Sequence, residues 1–263
     1  MNLELASRIA FITGGNRGIG RAIARAFAAE GMHLALFGRD EQQLSNTVAE
    51  LRVSYPAMNV VSIPLDFERP ASIEPAVQKA AVSLGGLDIL VNCAGGAYRG
   101  KLEDIPEHEW ERNFQVKPIG LLRMTRAALP YLRRSTQGRV INIAGTRGRE
   151  PSRFSMLAGP INMGTLSATK ALANELGPLG ITVNAINPGS TDSGRWDELV
   201  RMTAEELHLS NEHAIRHLLR EVPMGRVVKV EDVADLTVFL ASARAGMISG
   251  CAINVDGGRT RSI

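Results

Sequence analysis

The stretch that decides the fold is IAFITGGNRGIG at residues 9–20, which continues directly into RAIARAFAAEG. Its first five residues predict a buried β-strand, and the alanine-rich continuation has the apolar spacing of an amphipathic helix. Four glycines, at positions 14, 15, 18 and 20, stand between the two elements. Glycine lets a backbone turn sharply and approach a diphosphate, whose charge is favoured by free N–H groups at a helix N-terminus. The placement favours a nucleotide-binding loop over the alternative of a simple turn.

The same alternation of strand and helix continues along the chain. Seven short apolar runs predict strands, at 9–13, 34–37, 60–65, 89–91, 140–143, 181–186 and 252–255. Helical patterns lie between them, near 18–30, 41–53, 71–84, 107–133, 160–178 and 231–242. This order predicts an α/β fold with a doubly wound, seven-stranded parallel sheet and helices on both faces. Ligands of such sheets bind beyond the carboxyl ends of the strands.

We expect a single domain over residues 1–263, since this length suits one α/β core. Residues 191–223 form an extra, mostly helical segment that could cover the mouth of a site as a substrate cap. Within it, Thr203 and Glu206 have the spacing of a capping box.

Composition narrows the class of protein and its partners. Hydrophobic residues make up 44% of the chain and charged residues 22%, as in an ordinary globular protein. The net charge of +3 is spread along the sequence, which argues against nucleic-acid binding. No long apolar run or secretory signal is recognisable, so we expect no membrane partner and a cytoplasmic location. Cys93 and Cys251 have apolar neighbours and are expected to be reduced, packed thiols.

Three motifs in the predicted loops resemble those of the short-chain dehydrogenases/reductases. They are the G-x-x-x-G-x-G spacing of residues 14–20, Asn-Cys-Ala-Gly at 92–95 and Asn-Pro-Gly at 187–189. The resemblance covers essentially the whole chain, through Val-Asp-Gly-Gly at 255–258. It implies a Rossmann-like fold, an NAD(P) cofactor, and a homo-oligomer, a tetramer or dimer, built on the long fourth and fifth helices.

The resemblance also implies which residues bind the cofactor. The glycine loop and the end of the second strand would hold the phosphates and the adenosine ribose, Asp66 and Phe67 would flank the adenine, and the later loops would hold the ribose and nicotinamide. The full set is Gly14, Asn16, Arg17, Gly18, Ile19, Gly20, Arg39, Asp66, Phe67, Asn92, Ala94, Gly95, Pro188, Gly189 and Thr191.

The end of the second strand favours NADP over NAD. Here Gly-Arg-Asp occupies residues 38–40, and Arg39 with Arg17 offers two guanidinium groups suited to a 2′-phosphate. Asp40 is the opposing signal, because an acid there could bind a ribose hydroxyl instead. Either arginine could also be a solvated surface charge.

The family usually pairs a serine, a tyrosine and a lysine in the order Ser-x12-Tyr-x3-Lys. Residues 166–170 (LSATK) resemble the end of that pattern with the tyrosine lost. Counting back thirteen residues from Glu175, as the family's spacing requires, reaches Asn162 instead. The resemblance then puts Ala158 at the tyrosine position and Gly145 at the serine position. Lys170 would be a surface lysine about two helical turns further on.

The family's catalytic asparagine is changed as well. Its position, seven residues after Trp110, is occupied by Lys117, and Pro118 follows with an expected helix kink. Lys117 could stabilise charge or donate a proton, or fill the place structurally. We take Lys117, Asn162 and Tyr98 as catalytic candidates, with Thr146, Arg147 and water as further possible participants.

These observations support a divergent oxidoreductase that acts on a carbonyl/alcohol pair of a small-molecule substrate through a non-standard proton relay. The alternatives are a catalytically inactive cofactor-binding regulatory or scaffold protein, and a non-redox isomerase or lyase. Cations cluster on the loops after the strands, which favours an anionic substrate, with solvated charge as the alternative: Arg99, Lys101, Arg147, Arg149 and Arg153. His213 and His217 are four apart but lack a third ligand, so we predict no metal site.

Overall fold

The computed structural model describes residues 2–152 and 155–262, and these form one seven-stranded parallel sheet of order β3-β2-β1-β4-β5-β6-β7. The strands are β1 Ile9–Thr13, β2 His33–Gly38, β3 Val60–Pro64, β4 Ile89–Asn92, β5 Arg139–Ile143, β6 Thr182–Pro188 and β7 Ala252–Val255. The winding reverses between β1 and β4, which opens a crevice at their carboxyl ends. The predicted doubly wound α/β fold is confirmed.

Helices cover both faces of the sheet. They are α1 Gly18–Ala29, α2 Glu41–Ser54, α3 Ile73–Leu84, α4 Glu107–Val116, α5 Pro118–Leu132, α6 Ala158–Leu176, α7 Gly194–Leu207, α8 Asn211–Leu219 and α9 Val230–Ala241. The single helix predicted over 107–133 is two helices, because the backbone of Lys117 leaves the helical region (φ −98°, ψ −80°) and Pro118 starts a new helix.

The sheet is buried on both sides, which explains its continuous apolar runs. Adjacent residues of a strand point to opposite faces: Phe11 packs in the cluster formed with α3 and α5, and Ile12 packs in the cluster formed with α1 and α9. Both side chains are fully buried, and each such burial contributes about 1.5–3 kcal/mol. The sheet is therefore a rigid support for the loops at its carboxyl edge.

The segment predicted to cover the site is helical, but its proposed capping box is wrong. Thr203 and Glu206 lie inside α7, and the hydroxyl of Thr203 donates to the carbonyl of Leu199 at 2.8 Å. A threonine can satisfy its hydroxyl on the preceding turn, so the capping pattern also occurs within helices. The side chain that caps a helix here is Ser210, which accepts from the backbone N–H of His213 at the start of α8.

Of the two thiols, only Cys251 departs from the expected packing, since Cys93 packs against the core. Cys93 is half-buried, but Cys251 is exposed, because it immediately precedes β7, the edge strand of the sheet. No helix in the described part of the chain combines the length and apolarity needed to span a membrane. Within residues 2–152 and 155–262 there is also no group of three or more acidic, histidine or cysteine side chains that could hold a metal ion.

Candidate active site

The glycine loop is held by backbone contacts. The N–H groups of Gly14 and Gly15 donate to the carbonyl of Phe37 at 2.7 and 3.3 Å, which ties the loop to β2. A β-carbon on Gly20 would collide with the carbonyl oxygen of Gly14. No side chain caps the first N–H groups of α1, and no acidic residue lies in its first turn. These free donors and the positive end of the helix suit a diphosphate.

The end of β2 gives Arg39 and Asp40 different roles. The Asp40 carboxylate caps α2 by accepting from the backbone N–H of Gln43 at 2.9 Å, so it is engaged away from a ribose. The Arg39 side chain is 57% exposed and forms an ion pair with Glu68 at 3.2 Å. Arg17 is exposed, and the Asn16 amide donates to the side chain of Gln43. Both guanidinium groups are therefore accessible at this end of the crevice.

The loop after β4 is anchored by Thr13, a residue that the sequence analysis did not single out. Its hydroxyl oxygen accepts from the backbone N–H groups of Cys93 and Ala94 at 2.9 and 3.0 Å. Asn92 lies beneath this loop, and its side-chain amide donates to Asn142 at 2.9 Å and weakly to Thr125. The only sequence signal for Thr13 is a hydroxyl residue that ends a strand beside the glycine loop.

Lys117 and Asn162 meet at the carboxyl end of β5. The Nζ of Lys117 donates to the Asn162 side-chain oxygen and to the carbonyl of Ala144, both at 2.8 Å. Lys117 is 9% exposed and Asn162 is 6% exposed. Burial lowers the pKa of Lys117 to about 8; Cys93 opposes this shift, and the charge of Arg195 adds to it. The arrangement places a titratable ammonium group, with a pKa near neutrality, in the crevice.

The lysine visible in the sequence motif lies elsewhere. Lys170 is exposed, and its ammonium group lies near Gly250. Asn162 instead faces the end of β5, since a β-carbon on Gly145 would lie 3.0 Å from the Asn162 side-chain nitrogen. Ala158 is the first residue of α6 and is half-buried. The positions of Lys170, Asn162, Gly145 and Ala158 are therefore consistent with the alignment that the spacing predicted.

Tyr98 is half-buried on the loop after β4. Its backbone N–H donates to the Asn113 side chain at 2.9 Å, and its ring packs against the cluster that also contacts Ala158. This cluster consists of Ala97, Ile105, Leu157 and Ile161. Thr146 is buried and Arg147 half-buried in a short 3-10 turn after β5, where Arg147 donates to the carbonyl of Glu150 at 3.4 Å.

The remaining expected cofactor residues follow β3 or lie at the end of β6. Asp66 is half-buried and accepts from the backbone N–H of Glu68, while Phe67 is buried against Gly120 of α5. At the end of β6, Gly189 donates to the carbonyl of Val255 at 2.9 Å. Pro188 ends β6, and the hydroxyl of Thr191 donates to the carbonyl of Gly189. Backbone groups therefore dominate the lining at this end.

The predicted cation cluster is only partly assembled. Arg99 donates to the backbone carbonyl of Arg195 at 3.0 Å, and Arg149 donates to the carbonyl of Ala252 at 3.3 Å. Lys101 is exposed and its ammonium group contacts no acceptor among the described residues, and Arg153 lies outside the described residues. Arg195 was not predicted, because a single arginine in a cap segment carries no recognisable pattern.

Residues 14–260 match the protein family described as Enoyl-(Acyl carrier protein) reductase. The chain belongs to this family of short-chain dehydrogenases/reductases. It is 32% identical to D-beta-hydroxybutyrate dehydrogenase of Rhizobium meliloti over 97% of this chain and 98% of that protein. It is 34% identical to the short-chain reductase protein NovJ of Streptomyces niveus over 95% of this chain and 93% of that protein.

Solved structures show the same fold. L-sorbose reductase of Gluconobacter frateurii, in complex with NADPH and L-sorbose, superposes with a TM-score of 0.93 at 27% identity and full coverage of both chains. YwfH, an NADPH-dependent reductase involved in bacilysin biosynthesis, superposes with a TM-score of 0.91 at 28% identity over 98% of this chain and all of that chain.

Proposed function

We propose that this protein is an NADP(H)-dependent oxidoreductase that interconverts a carbonyl compound and an alcohol, with Lys117 as the proton donor. The observation that carries the proposal is the buried contact of Lys117 with Asn162 and Ala144 at the carboxyl end of β5. No serine or tyrosine occupies positions 145 and 158. The proposed site thus works without the family's usual hydroxyl groups.

The cofactor is NADP(H), and the residues of the crevice fit it. The uncapped N-terminus of α1 and the close approach of Gly14 and Gly20 suit the diphosphate. The exposed guanidinium groups of Arg17 and Arg39 would bind the 2′-phosphate, and the use of Asp40 as a helix cap supports NADP over NAD. The loops at 92–95 and 188–191 would hold the ribose and nicotinamide. When bound, this cofactor supplies a hydride for reduction and accepts one in oxidation.

Lys117 would move the proton. An ammonium group has three N–H donors. Lys117 uses two of them, one to the Asn162 side-chain oxygen and one to the carbonyl of Ala144. The third is available for a substrate oxygen or a water molecule. In reduction the C=O π bond is replaced by a C–H and an O–H bond, the O–H proton comes from the Nζ of Lys117, and solvent restores it. Asn162 and Ala144 hold the ammonium group in place.

Tyr98 is the alternative donor, because it packs on the same apolar cluster as Ala158, the residue at the family's tyrosine position. Substitution of Tyr98 by phenylalanine removes only the hydroxyl group. If the phenol supplies the proton, kcat of this variant falls by about 100-fold or more; if Lys117 does, kcat changes little.

The decisive experiment compares Lys117→Met with Lys170→Met. NADPH binding is measured first by fluorescence, and NADPH oxidation is then followed by absorbance with a panel of aldehydes and ketones. We expect Lys117→Met to lower kcat about 100- to 10,000-fold, because it removes a positioned general acid, with NADPH affinity retained. Lys170→Met should match the wild type, because Lys170 is exposed and lies away from the site.

Other outcomes would contradict the proposal. Turnover that survives in Lys117→Met removes Lys117 from the chemistry. Tight NADPH binding without turnover of any substrate supports an inactive regulatory or scaffold protein. Conversion of a substrate with no net change in nicotinamide absorbance supports an isomerase or lyase.

We also propose that the whole chain acts as one cofactor-binding domain, in which α7 and α8 form the substrate cap, and that it assembles as a cytoplasmic homo-oligomer. An apolar groove on α5 and α6, with Leu122 42% exposed at its edge, supports a contact between subunits. Its apolar lining is Ile119, Leu122, Leu129, Leu172 and Leu176. Leu122→Glu should shift the sedimentation profile toward the monomer; an unchanged profile would contradict this contact.

A further inference from the structure

We infer that Arg99 and Arg195 form an anion-binding subsite beside Lys117, and that the substrate is a small oxo acid whose carboxylate binds there. The substrate class rests on the proposed function, since it requires a carbonyl group at Lys117. The subsite itself rests on the placement of the two guanidinium groups.

Two hydrogen bonds, one donated by each arginine, connect α7 of the proposed cap to the loop after β4. The Nη2 of Arg195, near the start of α7, donates to the carbonyl of Ala97 at 2.7 Å. The Nη1 of Arg99 in turn donates to the backbone carbonyl of Arg195 at 3.0 Å. The guanidinium group of Arg195 lies directly over Gly96, where a β-carbon would collide with it. Glycine at this position therefore allows the close approach of the cation.

Within the described part of the chain, neither guanidinium group forms an ion pair. Among the described residues, no carboxylate lies within 4.0 Å of Arg99 or Arg195, and their side chains bond only to backbone carbonyls. A guanidinium group has five N–H donors, so most of the donors on each arginine remain available. Glu198 on α7 acts on both groups electrostatically but forms no ion pair with either.

In the free protein, loss of solvent and the neighbouring positive charges disfavour the charged forms of Arg99 and Arg195. Loss of solvent and then the charge of Arg195 lower the pKa of Arg99 to about 10, and the charge of Arg147 acts in the same direction. Loss of solvent also lowers the pKa of Arg195, with a smaller contribution from Arg17, while the charge of Glu198 opposes the lowering at both arginines. Arg99 and Arg147 are half-buried, whereas Arg195 is exposed. A bound anion would offset the repulsion and use the free donors.

The subsite adjoins the proposed proton donor. A β-carbon on Gly95 would lie 3.3 Å from the β-carbon of Lys117, and the next residue, Gly96, lies against Arg195. The charge of Arg195 also contributes to the lowered pKa of Lys117. We therefore place an anion on Arg195 close to the oxygen that Lys117 would protonate, since Arg195 and the stem of Lys117 lie against adjacent residues of this loop. A planar carboxylate matches the two parallel donors of a guanidinium group. A substrate with a carbonyl group at Lys117 and a carboxylate on these arginines is an oxo acid.

The test uses malonate as a probe and the protein saturated with NADPH. Malonate binding is measured by calorimetry at low ionic strength, with malonamide as the neutral analogue. We expect malonate to bind and malonamide not to bind. Arg99→Ala and Arg195→Ala should each weaken malonate binding about 10-fold or more, because each loses charge-assisted hydrogen bonds. Arg201→Ala, which removes an exposed charge from the helix that carries Arg195, should bind malonate as the wild type does.

Separate controls distinguish a loss of malonate binding from unfolding and from a loss of NADPH binding. Arg99→Lys and Arg195→Lys keep the charge but not the two parallel donors, and should show intermediate affinity; thermal melts establish that each variant is folded. The inference is wrong if malonate does not bind, or if both alanine variants bind it as the wild type does. It is also wrong if they weaken NADPH binding instead, which would assign these arginines to a cofactor phosphate. If the wild type does not bind NADPH, the proposed function fails, and malonate binding to the free protein still tests the subsite.

Discussion

The two sides of the crevice are built differently. On the cofactor side, backbone groups make the close contacts: the glycine loop bonds to the backbone of Phe37, and Gly20 lies against the carbonyl of Gly14. On the substrate side, charged side chains span between elements, as Lys117 does to Asn162 and Arg195 to the loop after β4. A surface built from backbone atoms accepts only glycine where two backbone segments approach closely. A surface built from side chains can change its chemistry by substitution while the backbone stays the same.

The largest expected effect on cofactor binding is that of Gly20→Ala. Gly20→Ala puts a β-carbon into the backbone of Gly14, so the loop must move. We expect NADPH affinity to fall about 100-fold, or about 2.7 kcal/mol, and unfolding free energy to fall by about 1–3 kcal/mol. Fluorescence titration and denaturant unfolding measure the two quantities. Gly177→Ala is the control, because its φ of −54° suits alanine and no atom lies within 4 Å of the new carbon.

Arg39→Ala tests the one place on the cofactor side where a side chain should set specificity. Loss of its guanidinium group should weaken NADPH binding about 10- to 100-fold and leave NADH binding almost unchanged. Arg69→Ala removes a nearby, more exposed charge and should alter neither affinity. Equal loss of NADPH and NADH affinity would show that Arg39 does not contact a 2′-phosphate.

The pH profile tests the substrate side. The pKa of Lys117 is lowered from its ordinary value to about 8, and the donor in reduction is the protonated form. The kcat/KM for reduction should therefore be constant below about pH 8 and fall about tenfold per pH unit above it. Oxidation needs the neutral amine, so its kcat/KM should rise with pH up to about 8. A reduction rate that is flat through pH 9 would contradict this role.

The smallest expected effect is that of Asn162→Leu, which should shift the pH profile of reduction. It removes an oxygen that accepts from the ammonium group, so the charged form loses a stabilising contact and the pKa of Lys117 should fall further. The limb of the reduction profile should move to lower pH by about one unit. Met163→Leu, at the exposed neighbouring position of α6, should leave the limb in place. A purely structural asparagine would change stability without moving the limb.

The sequence predicted the features that depend on local patterns. The seven strands followed from apolar runs, and a kink was expected at Pro118, where the structure has a complete break between α4 and α5. Spacing along the chain correctly separated exposed Lys170 from buried Asn162. The capping box in α7 failed because the same residue spacing serves a hydroxyl bonded within a helix. The prediction of a packed thiol at 251 failed because strand order, which local sequence does not contain, put that residue at the sheet edge.

Contacts between distant segments could not be predicted. Thr13 and the loop at 93–94 are eighty residues apart, and Arg195 lies almost a hundred residues from Ala97. Asp40 stayed ambiguous from sequence, since a carboxylate after a strand can bind a ribose or cap a helix. Only its geometry with Gln43 decides between the two. Such roles depend on tertiary structure, which brings together residues that share no local pattern.

If the proposed subsite binds an anionic product and α7 covers it, the reciprocal bonds of Arg99 and Arg195 would affect the rate of product release. Each arginine donates to the backbone of the segment that carries the other, so α7 cannot lift from the loop after β4 without breaking both bonds. Loss of an anionic product would leave the two cations unneutralised and repelling one another, which lowers the barrier to that opening. Product departure and cap opening would therefore be coupled, and the residence time of the product would depend on ionic strength.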